Sequence, residues 1–185
     1  HQSRINQSLH FLSAIGFLVA YVWLFVDPAT AALIGWGFSM VTRQAGHFFF
    51  EPRGYDHVNQ ASDAHKEAIK VGYNIRRKIA LLSVWLAIPV MLAASPSLLG
   101  WIEPARNVHE WILDVGNAWF ALGVAGLGLR TVHLVMRDGV VTGLAWAVKI
   151  LTDPFHDLVL YHRAPLHLLR GEWYDPMEHV AQPRH

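Results

Sequence analysis

Apolar residues along the chain gather into long runs instead of alternating with polar ones. Four of these runs approach the length of about 20 residues that a helix needs to cross a bilayer. Residues 9–26 carry no charge. Residues 29–50 hold Arg43, Gln44 and His47 in the last third. Residues 79–102 are uncharged throughout, and residues 115–136 are interrupted by Arg130 and His133. A buried helix of a soluble bundle normally keeps a polar face, and the third run has none. The pattern predicts an all-α fold, an integral membrane bundle of four transmembrane helices.

The remaining segments read differently. Residues 139–152 are too short to span and contain Lys149, so an interfacial or re-entrant segment is expected. Asp153-Pro154 has the form of a new helix start, with Asp as N-cap and Pro in the first turn. That helix would carry Phe155, His156, Leu158, Val159 and His162 until Pro165 interrupts it. Residues 59–77 place Ala61, Ala64, Ala68, Val71 and Ile75 on one side and Asp63, Lys66, Glu67 and Lys70 on the other. This is an amphipathic helix resting on a membrane surface. Pro89 and Pro96 are expected to kink the third span. Ala31, Gly35 and Ser39 form a small-residue stripe on the second span, and Gly116, Gly123 and Gly126 thin the fourth, so both can be approached closely by neighbours. The chain is thus organised as one membrane domain: a helical hairpin over 1–55, an amphipathic loop helix over 56–78, a second hairpin over 79–137, and an interfacial helical tail over 138–185.

Loop charge sets the expected orientation. The segment between the second and third spans holds Arg53, Lys66, Lys70, Arg76, Arg77 and Lys78, and the tail holds Arg137, Lys149, Arg163, Arg170 and Arg184. The loop between the third and fourth spans holds only Arg106, and the turn at Asp27-Pro28 has neither Lys nor Arg. By the positive-inside rule both termini lie in the cytoplasm of a multi-pass protein, expected in a bacterial inner membrane. The chain begins at His1, so the numbering is expected to start inside a longer protein.

Composition narrows the chemistry. Of 185 residues, 53% are hydrophobic and only 16% charged, below the quarter usual for soluble domains. No cysteine is present, which excludes disulfides, thiolate metal sites, iron–sulfur clusters and thiol nucleophiles. A net charge of +1 provides no field for nucleic acid. No G-x-S-x-G elbow supports serine hydrolysis. The spans lack the midplane charges of an ion transporter.

The 12 histidines are the informative excess. His10, His47 and His133 fall at the cytoplasmic ends of three different spans. His1, His57, His65, His156, His162 and His167 fall in segments on the same side, and His109 falls on the other. Ionisable groups inside spans are costly and mark function. Neutral imidazole is the commonest metal ligand. Glu51, four residues after His47, shares its helical face. Imidazoles with one carboxylate suit non-haem Fe(II) and also zinc. Each residue alone has a plainer explanation. A single helix-end histidine is more often an interfacial hydrogen-bonder, His47 with Glu51 is also a surface pair, and His133 between Arg130 and Arg137 is also a headgroup contact. His156, His162 and His167 share no single helical face and rank as second-tier ligands.

Two motifs give these residues a family context. His1, Asn6 and His10 form the pattern H-x4-N-x3-H just before the first span, and GHFFFE, Gly46 to Glu51, closes the second. In this the first 55 or so residues resemble the short bacterial relatives of the yeast 2-hydroxy fatty acid dioxygenase. The family usually continues with a Pro-Ala segment, where this chain has Pro52-Arg53-Gly54-Tyr55. The resemblance implies a membrane-embedded, iron-dependent oxygenase acting with O2 on a lipid or 2-hydroxy fatty acid. It implies His1, His10, His47 and Glu51 as metal-serving positions, with Asn6 orienting a ligand. His133 joins as a further candidate ligand, and Arg43 or Arg130 would hold a substrate carboxylate through paired hydrogen bonds. The alternative is a non-catalytic subunit of a larger membrane complex, its histidines structural or ligating haem or a pigment.

Overall fold

The computed structural model describes residues 1–51, 62, 64, 65 and 75–176. Most of the expected amphipathic helix over 59–77, and His57, lie outside these residues. Among the described residues the fold is all helical. An isolated antiparallel bridge between Ser3 and Tyr174 is the one β-type pairing.

Helix α1, Arg4–Trp23, begins where the Ser3 hydroxyl accepts the Asn6 amide. Helix α2, Pro28–Ala32, is capped by Asp27, whose carboxylate accepts the amides of Ala29 and Thr30, each at 3.1 Å. The Thr30 hydroxyl also donates to it and holds this carboxyl below its usual range. From α2 the chain continues without a break through a π-helical stretch, Leu33–Ser39, into α3, Met40–Phe49. A π-helical insertion rotates everything after it on the helix surface, by about 100° per added residue.

The hairpin of α1 against α2–α3 is tight because small residues line it. A Cβ on Gly16 would lie 2.2 Å from the Ser39 hydroxyl oxygen, and one on Gly46 would lie 2.1 Å from Asn6 Oδ1. Ser13 donates to the Ser39 carbonyl at 2.7 Å. The Ala31-Gly35-Ser39 stripe is buried here, with Phe17 of α1 over Gly35.

Helix α4, Ile75–Ala94, contains Pro89 and ends before Pro96. Pro96 therefore does not kink α4; it lies beyond the helix, ahead of a short 3-10 turn at Leu98–Gly100. Helix α5, Val108–Asp138, crosses α2 at Gly116, where a Cβ would lie 2.5 Å from the Ala29 carbonyl oxygen. Trp119 stacks on Trp85 at 5.4 Å and donates its indole N–H to the Trp85 carbonyl. With Ala32, Leu92 and Val115 it forms the apolar core.

Helix α6, Val140–Tyr161, corrects two expectations. Residues 139–152 are not a separate interfacial piece, and Asp153 does not begin a helix. One helix runs through Pro154 and packs along α1. Tyr21 donates to the Leu151 carbonyl at 2.9 Å, and Asp157 lies beside His10, so α6 is antiparallel to α1. That packing, with the Tyr21 bond to Leu151, outweighs the N–H that proline removes. A short helix α7, Ala164–Leu169, follows. Two helices among the described residues, Arg4–Trp23 and Val108–Asp138, are long and apolar enough to cross a membrane.

Candidate metal centre

Three elements deliver three imidazoles to one place. His1 comes from the extended segment ahead of α1, His10 from the second turn of α1, and His47 from the end of α3. Their ring centroids lie 4.3 Å (His1–His10), 4.8 Å (His10–His47) and 5.0 Å (His1–His47) apart. One ring nitrogen from each lies within 4.8 Å of the others. Tyr161, at the end of α6, packs its ring against His1 and His10.

The other nitrogens explain the orientation. His1 Nδ1 lies 2.9 Å from Glu51 Oε2, and His47 Nδ1 lies 3.0 Å from the same oxygen. His10 Nδ1 lies 3.2 Å from Asp157 Oδ2. A carboxylate can only accept, so the ring nitrogen facing it must donate. The His10 and His47 rings are thereby set as the tautomer with the lone pair on Nε2, while His1 Nδ1 lies between the Glu51 carboxylate and the Asn6 amide nitrogen. This is the outer-shell arrangement found behind metal-bound histidines. His10 Nε2 is buried and has no hydrogen-bond partner among the described residues. An orphaned buried acceptor is costly and calls for an explanation. A bound cation supplies one, and three neutral nitrogen donors without thiolate fit iron(II) or zinc.

The carboxylates are themselves held. Asn6 Nδ2 donates to Glu51 Oε2 at 2.6 Å and lies 3.1 Å from His1 Nδ1. Gly46 makes this possible, since any side chain there would displace the Asn6 amide. Arg43 pairs with Asp157 at 3.1 Å and more loosely with Asp153 at 3.7 Å. Glu51 thus lies behind two rings, and Arg43 is engaged by two aspartates.

The structure does not bring the other predicted residues to this cluster. His133 and Arg130 are exposed on α5. A Cβ on Gly143 would meet Thr131 and Val135, which fixes the α5–α6 register beside His133. Gly143 precedes Asp157 by 14 residues of α6, about 21 Å of helix. His133 is therefore at the far end of α6 from His10, because the chain returns along α1 instead of stopping at a surface. His156 is exposed, one residue and about 100° of rotation from Asp157. His162 is exposed and engages the Val159 carbonyl, while His167 pairs with Glu172.

Asp157, Asp153 and Tyr161 escaped the sequence argument. Their four-residue spacing puts them on one face of a helix. Breaking the helix at Asp153 concealed it.

A largely apolar cleft of about 480 Å³ runs between α1, α2–α3, α5 and α6, lined by none of the three histidines and connected to them through Arg43, which pairs with Asp157. Phe17, Leu24, Trp36 and Leu127 line it, and Arg43, Gln44 and Asp153 supply its polar positions. No protein-family model, characterised protein or solved structure matches this chain.

Proposed function

We propose that this chain is a membrane-embedded, iron-dependent oxygenase acting on a lipid-derived substrate. The observation that carries the proposal is the three-histidine cluster. All three Nδ1 atoms rest on carboxylates, and the buried Nε2 of His10 lacks a partner. His1, His10 and His47 would hold the metal, with Glu51, Asp157 and Asn6 fixing their rings. Iron would supply redox activation of O2. Zinc fits the same donors, and elemental analysis separates the two. A porphyrin needs a flat cavity beside its axial histidine, and rings 4.3–5.0 Å apart leave none between them.

The chain's own part is positioning. The apolar cleft suits an aliphatic chain, and its polar residues suit an acid or alcohol head. Arg43, loosely paired with Asp153, has a guanidinium nitrogen suited to receive that head. The apolar runs at 9–26, 29–50, 79–102 and 115–136 support four spans. So do large side chains exposed to the surroundings, Phe25 at 93% and Met136 at 82% among them. A bacterial inner membrane is the proposed location, with lipid and O2 as partners.

The test is elemental analysis with an absorption spectrum on detergent-purified protein, wild type and His47→Ala. Stoichiometric iron without a Soret band, lost in the variant, is expected. Iron content unchanged by His47→Ala, or a Soret band, would overturn the proposal.

A further inference from the structure

His1 is the one member of the cluster that no helix carries. It precedes the N-cap at Ser3, and its position needs another explanation. Residues 171–176 provide one. After α7 the chain turns at Gly171, with φ of +82°, and runs back across the start of α1. There the Arg4 amide donates to the Trp173 carbonyl at 3.0 Å, and the Asp175 amide donates to the Gln2 carbonyl at 2.8 Å. The two bonds make the antiparallel bridge of Ser3 with Tyr174.

The Asp175 carboxylate completes the fastening. It is buried, accepts Gln7 Nε2 at 2.9 Å and pairs with Arg4 at 2.9 Å. The same Gln7 nitrogen donates to the His1 carbonyl at 2.7 Å. Arg4 in turn donates to Gln7 Oε1. A buried carboxylate held by an arginine and an amide is costly to displace. Its nearest consequence is the fixed backbone of His1.

We propose that residues 171–176 are a strap that fixes the His1 imidazole in the cluster, with Asp175 as its positioning residue. In the part that concerns metal, this rests on the function proposed above. The strap makes the N-terminal ligand dependent on a segment almost the whole chain away. Closing the strap completes the three-histidine set; releasing it leaves His10 and His47.

Two measurements on full-length, detergent-purified protein test the strap. The first needs no metal. Carbethoxylation by diethylpyrocarbonate, mapped by mass spectrometry, reads the reactivity of each histidine. In Asp175→Ala, His1 is expected to react at least about fivefold faster than in wild type. The exposed His133 and His156, and the buried His10, keep their rates. Asp175→Asn, which keeps the shape and one acceptor, gives an intermediate rate. Glu172→Gln, in the same segment but bonded among the described residues only to His167, leaves the His1 rate as in wild type. An unchanged His1 rate, or His1 and His10 accelerating together, overturns the strap.

The second measurement is iron(II) and zinc(II) affinity in a double-mutant cycle with His1→Ala. Asp175→Ala is expected to weaken binding about tenfold or more when His1 is present, and not at all in the His1→Ala background. Equal losses in both backgrounds overturn the positioning role. A wild type that takes up neither metal overturns the proposed metal centre, while the His1 rates still decide the strap.

Discussion

Asp157 and His10 meet across 147 residues of sequence, with the carboxylate oxygen 3.2 Å from Nδ1. The contact joins α6 to α1 and sets which nitrogen of His10 bears the lone pair. The side chain of His10 is 1% exposed, so no water replaces the aspartate freely. Arg43 pairs with the same carboxylate oxygen, Oδ2, at 3.1 Å. One carboxylate thus ties three helices to the orientation of one ring.

Removing it should cost metal before it costs fold. Outer-shell partners of metal-bound histidines are worth about 10- to 100-fold in affinity. Asp157→Asn is expected to weaken iron(II) or zinc(II) binding within that range in a competitive chelator titration. Its circular dichroism should match wild type. Affinity unchanged by Asp157→Asn would show that the contact does not serve a metal.

Glycine substitutions separate close packing from open surface. A Cβ on Gly46 overlaps Asn6 Oδ1, and Asn6 is fully buried and tied to Glu51, so it has nowhere to turn. Gly46→Ala is expected to destabilise by about 1–3 kcal/mol, as overpacking does, and to displace Glu51. A Cβ on Gly126 meets nothing within 4 Å. Gly126→Ala is expected to be neutral or to stabilise by up to about 1 kcal/mol. Thermal unfolding in one detergent compares the two, and equal midpoints would refute the packing argument.

The hairpin of α1 with α2–α3, and its histidines, could be read from sequence because local signals agree there. An apolar run, a short turn at Asp27-Pro28, a second run and motif residues at the two free ends all point the same way. The second half could not be read so far. Asp153-Pro154 carries the local signature of a helix start, yet tertiary packing of α6 on α1 holds one helix through it. That single break hid Asp157 and Tyr161 and left His133 at an assumed depth. The segment around Asp175 gives no periodic signal at all. Its role comes from hydrogen bonds to Arg4 and Gln7 at the opposite end of the chain.

Acid should empty the site. Each imidazole must keep a ring-nitrogen lone pair to bind a cation, and protonation removes it. Metal affinity is therefore expected to fall as pH falls below neutrality. Each imidazole ligand that competes for a proton steepens that fall. His1→Ala should lower that slope by removing one of them. Chelator competition at several pH values reads it, and a flat profile would exclude imidazole ligation.

His133 and His47 offer the sharpest contrast, because loop charge and helix position alone make them equivalent. Both fall near the ends of apolar runs with an arginine close by. In the fold, His47 touches Glu51 and faces His1 and His10, while His133 is exposed on α5 beside the first turns of α6. His47→Ala is expected to lose bound metal, and His133→Ala to keep the wild-type stoichiometry and spectrum. Metal lost equally from both would mean that α5 reaches the cluster, and the antiparallel register of α6 on α1 would be wrong. A quantitative metal assay on the two variants, prepared side by side, decides between these arrangements of the second hairpin.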